Sequence, residues 1–205
     1  LRSVFKLPDS EKGVRFNDGK VDPYGNFLAG TLTMEGAARG KLYRIASNGR
    51  VAILKTGIAI PNAICFTPNG QSVYFADSLE NCVKLYRYLP DTEQLSEPLQ
   101  VLDTKALGSA PDGACVDADG NLWVTLVQNG KIAKFDAAGN VAAVFEAPVD
   151  TPSCVAFGGR TLQSLYLTSI KDTGTGRIVS SHPHGGHLFA CEDPSFRGMK
   201  DYLFS

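Results

Sequence analysis

Apolar and polar residues alternate along this chain in short bursts that recur. Lys41-Leu42-Tyr43-Arg44-Ile45, Val83-Lys84-Leu85-Tyr86-Arg87-Tyr88 and Lys131-Ile132-Ala133-Lys134-Phe135 carry the two-residue period of a half-buried β-strand. Ahead of each lies a continuous apolar run: Phe27-Leu28-Ala29, Val73-Tyr74-Phe75 and Leu122-Trp123-Val124, with a fourth at Leu165-Tyr166-Leu167. Every run follows a glycine, at Gly25, Gly70, Gly120 or Gly159. The turns around the first three are built from Pro, Asn and Asp, as in Asp22-Pro23-Tyr24-Gly25 and Pro68-Asn69-Gly70. Asn-Gly and Asp-Gly are strong hairpin signals because glycine accepts the positive φ of a tight turn. A short strand precedes each of these three turns, at Lys20-Val21, Ile64-Cys65-Phe66 and Cys115-Val116. Outer strands are predicted at 51–54 and 141–145, entered through Asn48-Gly49 and Ala138-Gly139. Long helical periodicity is absent. The glycines are 45, 50 and 39 residues apart. A repeat of that length, with strand, turn and strand in each unit, marks the blades of a propeller. The pattern predicts one all-β domain over residues 1–205, a β-propeller.

The same alignment singles out a second position. Eight residues before the four glycines stand Asn17, Asn62, Asp112 and Thr151. Equivalent positions of different blades surround one axis, so Asn17, Asn62 and Asp112 are predicted to converge. One such residue alone would be read as a strand-end cap. Three in register predict a site. Asn and Asp oxygens are hard donors, suited to Ca²⁺, Mg²⁺ or Mn²⁺, and Zn²⁺ also accepts a carboxylate.

Longer strings then carry a resemblance. Arg15-Phe16-Asn17-Asp18-Gly19-Lys20-Val21-Asp22-Pro23 with Ala29-Gly30-Thr31 resembles the senescence-marker-protein, gluconolactonase and luciferin-regenerating-enzyme-like family, also called the regucalcin family. So do Pro111-Asp112-Gly113 with Asp119-Gly120-Asn121-Leu122-Trp123-Val124, and Ala156-Phe157-Gly158-Gly159 with Leu165-Tyr166-Leu167-Thr168-Ser169. Gly185-Gly186, Leu188-Phe189 and Arg197-Gly198 fit the family's last blade. The motifs occur in order from Arg15 onward. The resemblance implies a six-bladed propeller with one divalent metal ion (Ca²⁺, Zn²⁺, Mn²⁺ or Mg²⁺) in its central channel. It implies metal ligation by Asn62 and Asp112, and substrate binding by Arg15, Asn17 and Glu35; the leading expectation is hydrolysis of a sugar lactone, for which the Asp112 carboxylate could also accept a proton from a metal-activated water as general base. A non-catalytic calcium-binding or regulatory propeller, or an inactive truncated homologue, is the alternative.

Two departures from the family pattern shape the expectation. The family's first metal ligand is a Glu in an N-terminal Glu-Gly-Pro type motif, which does not occur here. The chain opens at Leu1 in what reads as mid-domain sequence, so about four of six blades are expected. Open blade faces would then favour self-association, and lactonase activity would be low. Pro61-Asn62-Ala63 also stands where the family has Ser-Asn-Gly, which would alter the backbone at a metal ligand.

Composition narrows the partners. Twenty basic and 21 acidic residues give a net charge of −1, which leaves no electrostatic footprint for nucleic acid. No apolar run approaches a membrane span, so no membrane partner is expected. The expected partner is a small lactone. Five cysteines without a C-x-x-C pair read as thiols of a reducing, cytoplasmic compartment. Cys65, Cys115 and Cys154 share one register, five residues before an aligned glycine, and are predicted to be small buried apolar groups rather than ligands. His182-Pro183-His184-Gly185-Gly186-His187 reads as a surface or channel-rim loop in preference to a transition-metal site. Asp18 is open between a supporting role beside Asn17 and a turn cap. Trp123 and Tyr166 are expected to pack between blades. No G-x-S-x-G recommends a serine nucleophile.

Overall fold

A computed structural model describes residues 3–33, 38–89, 91 and 94–205. It consists of four antiparallel sheets, each built from consecutive strands. Blade 1 holds β1 (Val14–Val21), β2 (Phe27–Thr33), β3 (Gly40–Ile45) and β4 (Val51–Ile58). Blade 2 holds β5 (Pro61–Phe66), β6 (Ser72–Asp77), β7 (Cys82–Arg87) and β8 (Pro98–Asp103). Blade 3 holds β9 (Pro111–Val116), β10 (Leu122–Leu126), β11 (Lys131–Phe135) and β12 (Val141–Glu146). Blade 4 pairs β13 (Pro152–Gly158), β14 (Ser164–Ser169) and β15 (Leu188–Glu192), with three strands among the described residues. The first strands β1, β5, β9 and β13 lie side by side in that order. These are four blades of a β-propeller, as the repeat predicts. The third strands fall where the alternating bursts place them. Strand β8 is an addition to the sequence reading, and β4 continues to Ile58.

Burial explains the two kinds of apolar pattern. The second strands of blades 1 to 3 are covered on both faces, because blades stack face to face, whereas β14 of blade 4 leaves Tyr166 exposed. Val73, Tyr74, Phe75 and Ala76 of β6 are all 0–1% exposed, so this strand is continuously apolar. One core cluster, with Leu28, Leu42, Ile58, Val73 and Phe75, joins blades 1 and 2. A second, with Val83, Leu102, Leu122, Val124 and Phe135, joins blades 2 and 3. Trp123 packs against Phe157 of blade 4 with ring centroids 5.7 Å apart, as expected, but Tyr166, expected to pack between blades as well, is 37% exposed on the outer face of blade 4.

The inner hairpins share one turn. Asp22 Oδ1 accepts from the N–H groups of Tyr24 and Asn26, and its Oδ2 accepts from Asn26 Nδ2. Asp117 repeats this with Asp119 and Asn121. Gly25 and Gly120 then take φ of 80° and 87°, which glycine adopts without steric cost. Thr67 does the same work in blade 2 through its hydroxyl.

Beyond β15 the chain turns back and crosses the turn end of all four blades. Gly198 N–H donates to the Leu162 carbonyl, and Ala118 N–H donates to the Arg197 carbonyl. Tyr202 packs edge-on against Phe66, and Ser205 N–H donates to the Gly25 carbonyl. Asp201 pairs with Lys20 at 2.5 Å. This strap lines the same end of the channel as Lys20, Cys65 and Cys115.

Candidate active site

The opposite end of the channel is the mouth. Here each inner strand departs from regular pairing. In β1, Asn17 and Asp18 fall between the pairs Phe16–Thr31 and Gly19–Ala29. In β5, Ala63 and Ile64 fall between Asn62–Ala76 and Cys65–Tyr74. In β9, Asp112 and Gly113 fall between Pro111–Leu126 and Ala114–Val124. In β13, Ser153 is the extra residue. Each is a bulge, a device that re-aims side chains at the edge of a sheet. Four bulges at one level set the geometry of the mouth.

The structure brings Asn17 and Asn62 into contact. Asn17 Nδ2 donates to Asn62 Oδ1 at 3.2 Å and to the Pro61 carbonyl at 2.9 Å. Arg15 Nη1 donates to Asn17 Oδ1 at 3.0 Å. Asn62 is 6% exposed. Its Nδ2 donates to Ser78 Oγ at 2.8 Å, and Ser78 Oγ donates to the Pro111 carbonyl at 2.7 Å. That chain of bonds spends the amide N–H on Ser78 and leaves the Asn62 oxygen facing Asn17. Ala63 holds φ of 54°, the glycine-favouring conformation, so the expected change at Asn62 is absorbed as local strain.

Asp112 is half-buried at the start of β9. Burial, and then the nearby Asp18 charge, push its carboxyl up to about 7 against one favourable Gly113 amide. Burial also pushes Asp18 up to about 6, against the Ile64 and Gly19 amides and the Lys20 charge. Two carboxylates short of compensating charge therefore share the mouth. The fourth aligned residue behaves otherwise: Thr151 Oγ1 donates to the Ile170 carbonyl at 2.6 Å and serves the backbone. Glu35 lies outside the described residues.

The remaining candidates are placed as follows. Cys65 and Cys115 are buried and Cys154 is half-buried, all as free thiols. Burial raises each thiol, Cys154 to about 12, so none is a ready nucleophile. The His182, His184 and His187 rings follow one another at centroid separations of 5.5 and 5.0 Å. The His184 N–H donates to His182 Nδ1, and the Gly186 N–H to Ser169 Oγ, so the segment is a tight rim loop. Among the described residues, no three His, Cys, Asp or Glu side chains are gathered around one point. Sequence reasoning did not find Ser78, which orients Asn62 from a 3₁₀ turn after β6, and left the part of Asp18 open.

The profile of the SMP-30/Gluconolactonase/LRE-like region matches residues 1–171. The chain belongs to this family. Among curated members of the SMP-30/gluconolactonase/LRE-like family it is 32% identical over 201 residues to a 6-deoxy-6-sulfogluconolactonase of Pseudomonas putida, covering 93% of this chain and 68% of that one. It is 33% identical over 175 residues to a pentonolactonase of Haloferax volcanii, covering 85% and 59% respectively. Among solved structures, a calcium-binding regucalcin from Agrobacterium tumefaciens superposes with a TM-score of 0.83 at 28% identity, over 98% of this chain and 68% of that one. The chain thus spans roughly two thirds, or less, of the length of these relatives.

Proposed function

We propose that the channel mouth binds one divalent cation and hydrolyses a sugar lactone. The observation that carries this reading is Asp112: a half-buried carboxylate pushed up to about 7 beside a second carboxylate, in a chain whose relatives are named sugar lactonases. The donor chemistry fits a cation. Asn62 Oδ1 and the Asp112 carboxylate are hard oxygens, and a cation would offset the charge that Asp18 and Asp112 force on each other. The ion, of the Ca²⁺, Zn²⁺, Mn²⁺ or Mg²⁺ class, would supply Lewis-acid polarisation of the lactone carbonyl.

The chain's own residues do the rest. Arg15 offers guanidinium N–H donors at the mouth for the hydroxyl and ring oxygens of the sugar, and Asn17, whose two amide hydrogens go to Pro61 and Asn62, offers its Oδ1 as an acceptor for a sugar hydroxyl. Asp112 takes the proton of the attacking water as its oxygen bonds to the carbonyl carbon. The ring C–O bond then breaks, and the same proton passes to the departing oxygen, giving the open hydroxy acid.

Proton release from an aldonolactone, followed with and without chelator, tests the reading. Chelation is expected to abolish turnover, and Asp112→Asn to lower it at least about 10²-fold. Unchanged turnover in Asp112→Asn would remove this residue from the chemistry. A second reading is a calcium-binding regulatory propeller, favoured by the calcium-binding regucalcin likeness. Tight cation binding with no turnover on any lactone would select it.

A further inference from the structure

Asn17 and Asp18 form a single bulge in β1, and together they grip the backbone on both sides of Asn62. Asn17 Nδ2 reaches the Pro61 carbonyl at 2.9 Å. Asp18 Oδ2 accepts from the Ile64 N–H at 2.9 Å, while its Oδ1 accepts from the Gly19 N–H at 2.8 Å. The carboxylate is thus anchored on its own strand and extended to the next blade. Between the two gripped peptide groups lies Ala63, fully buried, with φ of 54°. A residue with a Cβ leaves that conformation unless its surroundings hold it there. The sequence supplies no glycine at this position, so the hold must come from contacts. Leaving a carboxylate half-buried within range of Asp112 is unfavourable, which argues that Asp18 is kept for what it grips.

We propose that Asp18 is a positioning residue for Asn62: by holding the Ile64 N–H it keeps Ala63 left-handed and aims the Asn62 side chain into the channel mouth. An asparagine in its place would match the size but has one acceptor oxygen for two N–H groups. It would also turn an amide N–H₂ toward one of them, so the grip would fail on one side. The effect on cation affinity rests on the proposed role of Asn62, whereas the effect on the backbone does not.

The test uses the whole chain as parent, Asp18→Asn, Ala63→Gly and the double variant. Glycine adopts the left-handed conformation unaided, so Ala63→Gly should make the grip dispensable. In chelator-treated protein, Asp18→Asn is expected to speed exchange of the Ile64 amide at least about tenfold. Calorimetric titration with Ca²⁺, Mn²⁺ and Zn²⁺ is expected to show a Kd raised about 10–100-fold in Asp18→Asn. Most of that loss should return in the double variant. Unchanged Ile64 exchange in Asp18→Asn would overturn the proposal. So would an equal loss of affinity in the Ala63 parent and in the Ala63→Gly background, since that is the mark of a direct charge effect. Should the parent bind no cation, or bind it equally after Asn62→Ala, the cation reading fails by itself. Amide exchange and melting then decide: recovery of melting temperature by Ala63→Gly in the Asp18→Asn background supports positioning, and additive effects refute it. If Asp18→Asn does not fold, restored folding in the double variant supports the proposal and its absence refutes it.

Discussion

Asp112, near the start of the inner strand of blade 3, and Asp117, in the turn just past its end, have surroundings that make them opposites. Asp117, 3% exposed, receives the N–H groups of Asp119 and Asn121, the Asn121 amide, the Trp123 indole at 3.0 Å and the Lys134 ammonium at 3.3 Å. Burial works against its charge, but the Trp123 and Asn121 hydrogen bonds and Lys134 hold the carboxyl below the usual range. Asp112 is pushed up to about 7 by burial first and by the like-charged Asp18 second, with one Gly113 amide against them. Residue type and blade are shared. The number of donors aimed at each carboxylate decides whether it locks a turn or is left available for chemistry.

Asp117→Ala should cost the most stability, about 3–5 kcal/mol, because it strands several buried donors and the Lys134 charge at once. Urea denaturation measures it, and a loss under about 1 kcal/mol would mean that the turn network is not what closes the hairpin. At the other end of the strand the readout changes to ligand linkage. A divalent ion at about 100 times its Kd should stabilise the parent by about 2.7 kcal/mol. Asn62→Ala and Asp112→Ala should each retain less than about half of that gain. Equal thermal shifts in all three proteins would move the ion elsewhere, with the histidine loop the first place to look.

The two ends also differ in pH response. The carboxyls of Asp18 and Asp112 are raised from 3.8 to about 6 and about 7, so the folded protein holds protons that the unfolded chain has already released. Their contribution is full below pH ~4 and is lost as pH rises through ~6 and ~7. Chelator-treated protein should therefore melt lower at pH 8 than at pH 5, and Asp112→Asn should flatten that slope. A slope unchanged by the substitution would show that Asp112 does not titrate there. Asp117 has the reverse sign: its carboxyl is lowered, so its stabilisation is present above the normal carboxylate range and fades in acid. The smallest effect is expected at Thr151. Its hydroxyl bonds a backbone carbonyl, so Thr151→Val should cost about 1 kcal/mol and leave cation affinity alone. A loss of affinity there would bring the fourth blade into the site.

Much of the fold was legible because burial and sequence period coincide. Second strands covered on both faces read as unbroken apolar runs, and third strands such as β11 alternate. Strand β8 escaped because its polarity does not follow its burial: Leu99 and Val101 are 54% and 57% exposed. At the mouth, the aligned glycines located Asn17, Asn62 and Asp112, since the hairpin turn fixes their distance from the channel end. The bulges were invisible. One extra residue in a strand carries no compositional mark, yet the bulge in β1 holds Asn17, which meets Asn62. Ser78 was hidden for a different reason, because a serine in a 3₁₀ turn signals nothing until the Pro111 carbonyl is seen beside it.

The strap across the turn end joins positions that are far apart in sequence, down to the bond from Ser205 to the carbonyl of Gly25. Blade hairpins close over short loops, whereas the strap's contacts span most of the chain, so closing them carries the larger loop-closure cost. Phe196 of the strap lies against Trp123 with ring centroids 5.5 Å apart. Trp123 is the single tryptophan of the chain. Its fluorescence therefore reports the docking of the strap together with the packing of blades 3 and 4, which reaches the same ring through Phe145 and Phe157.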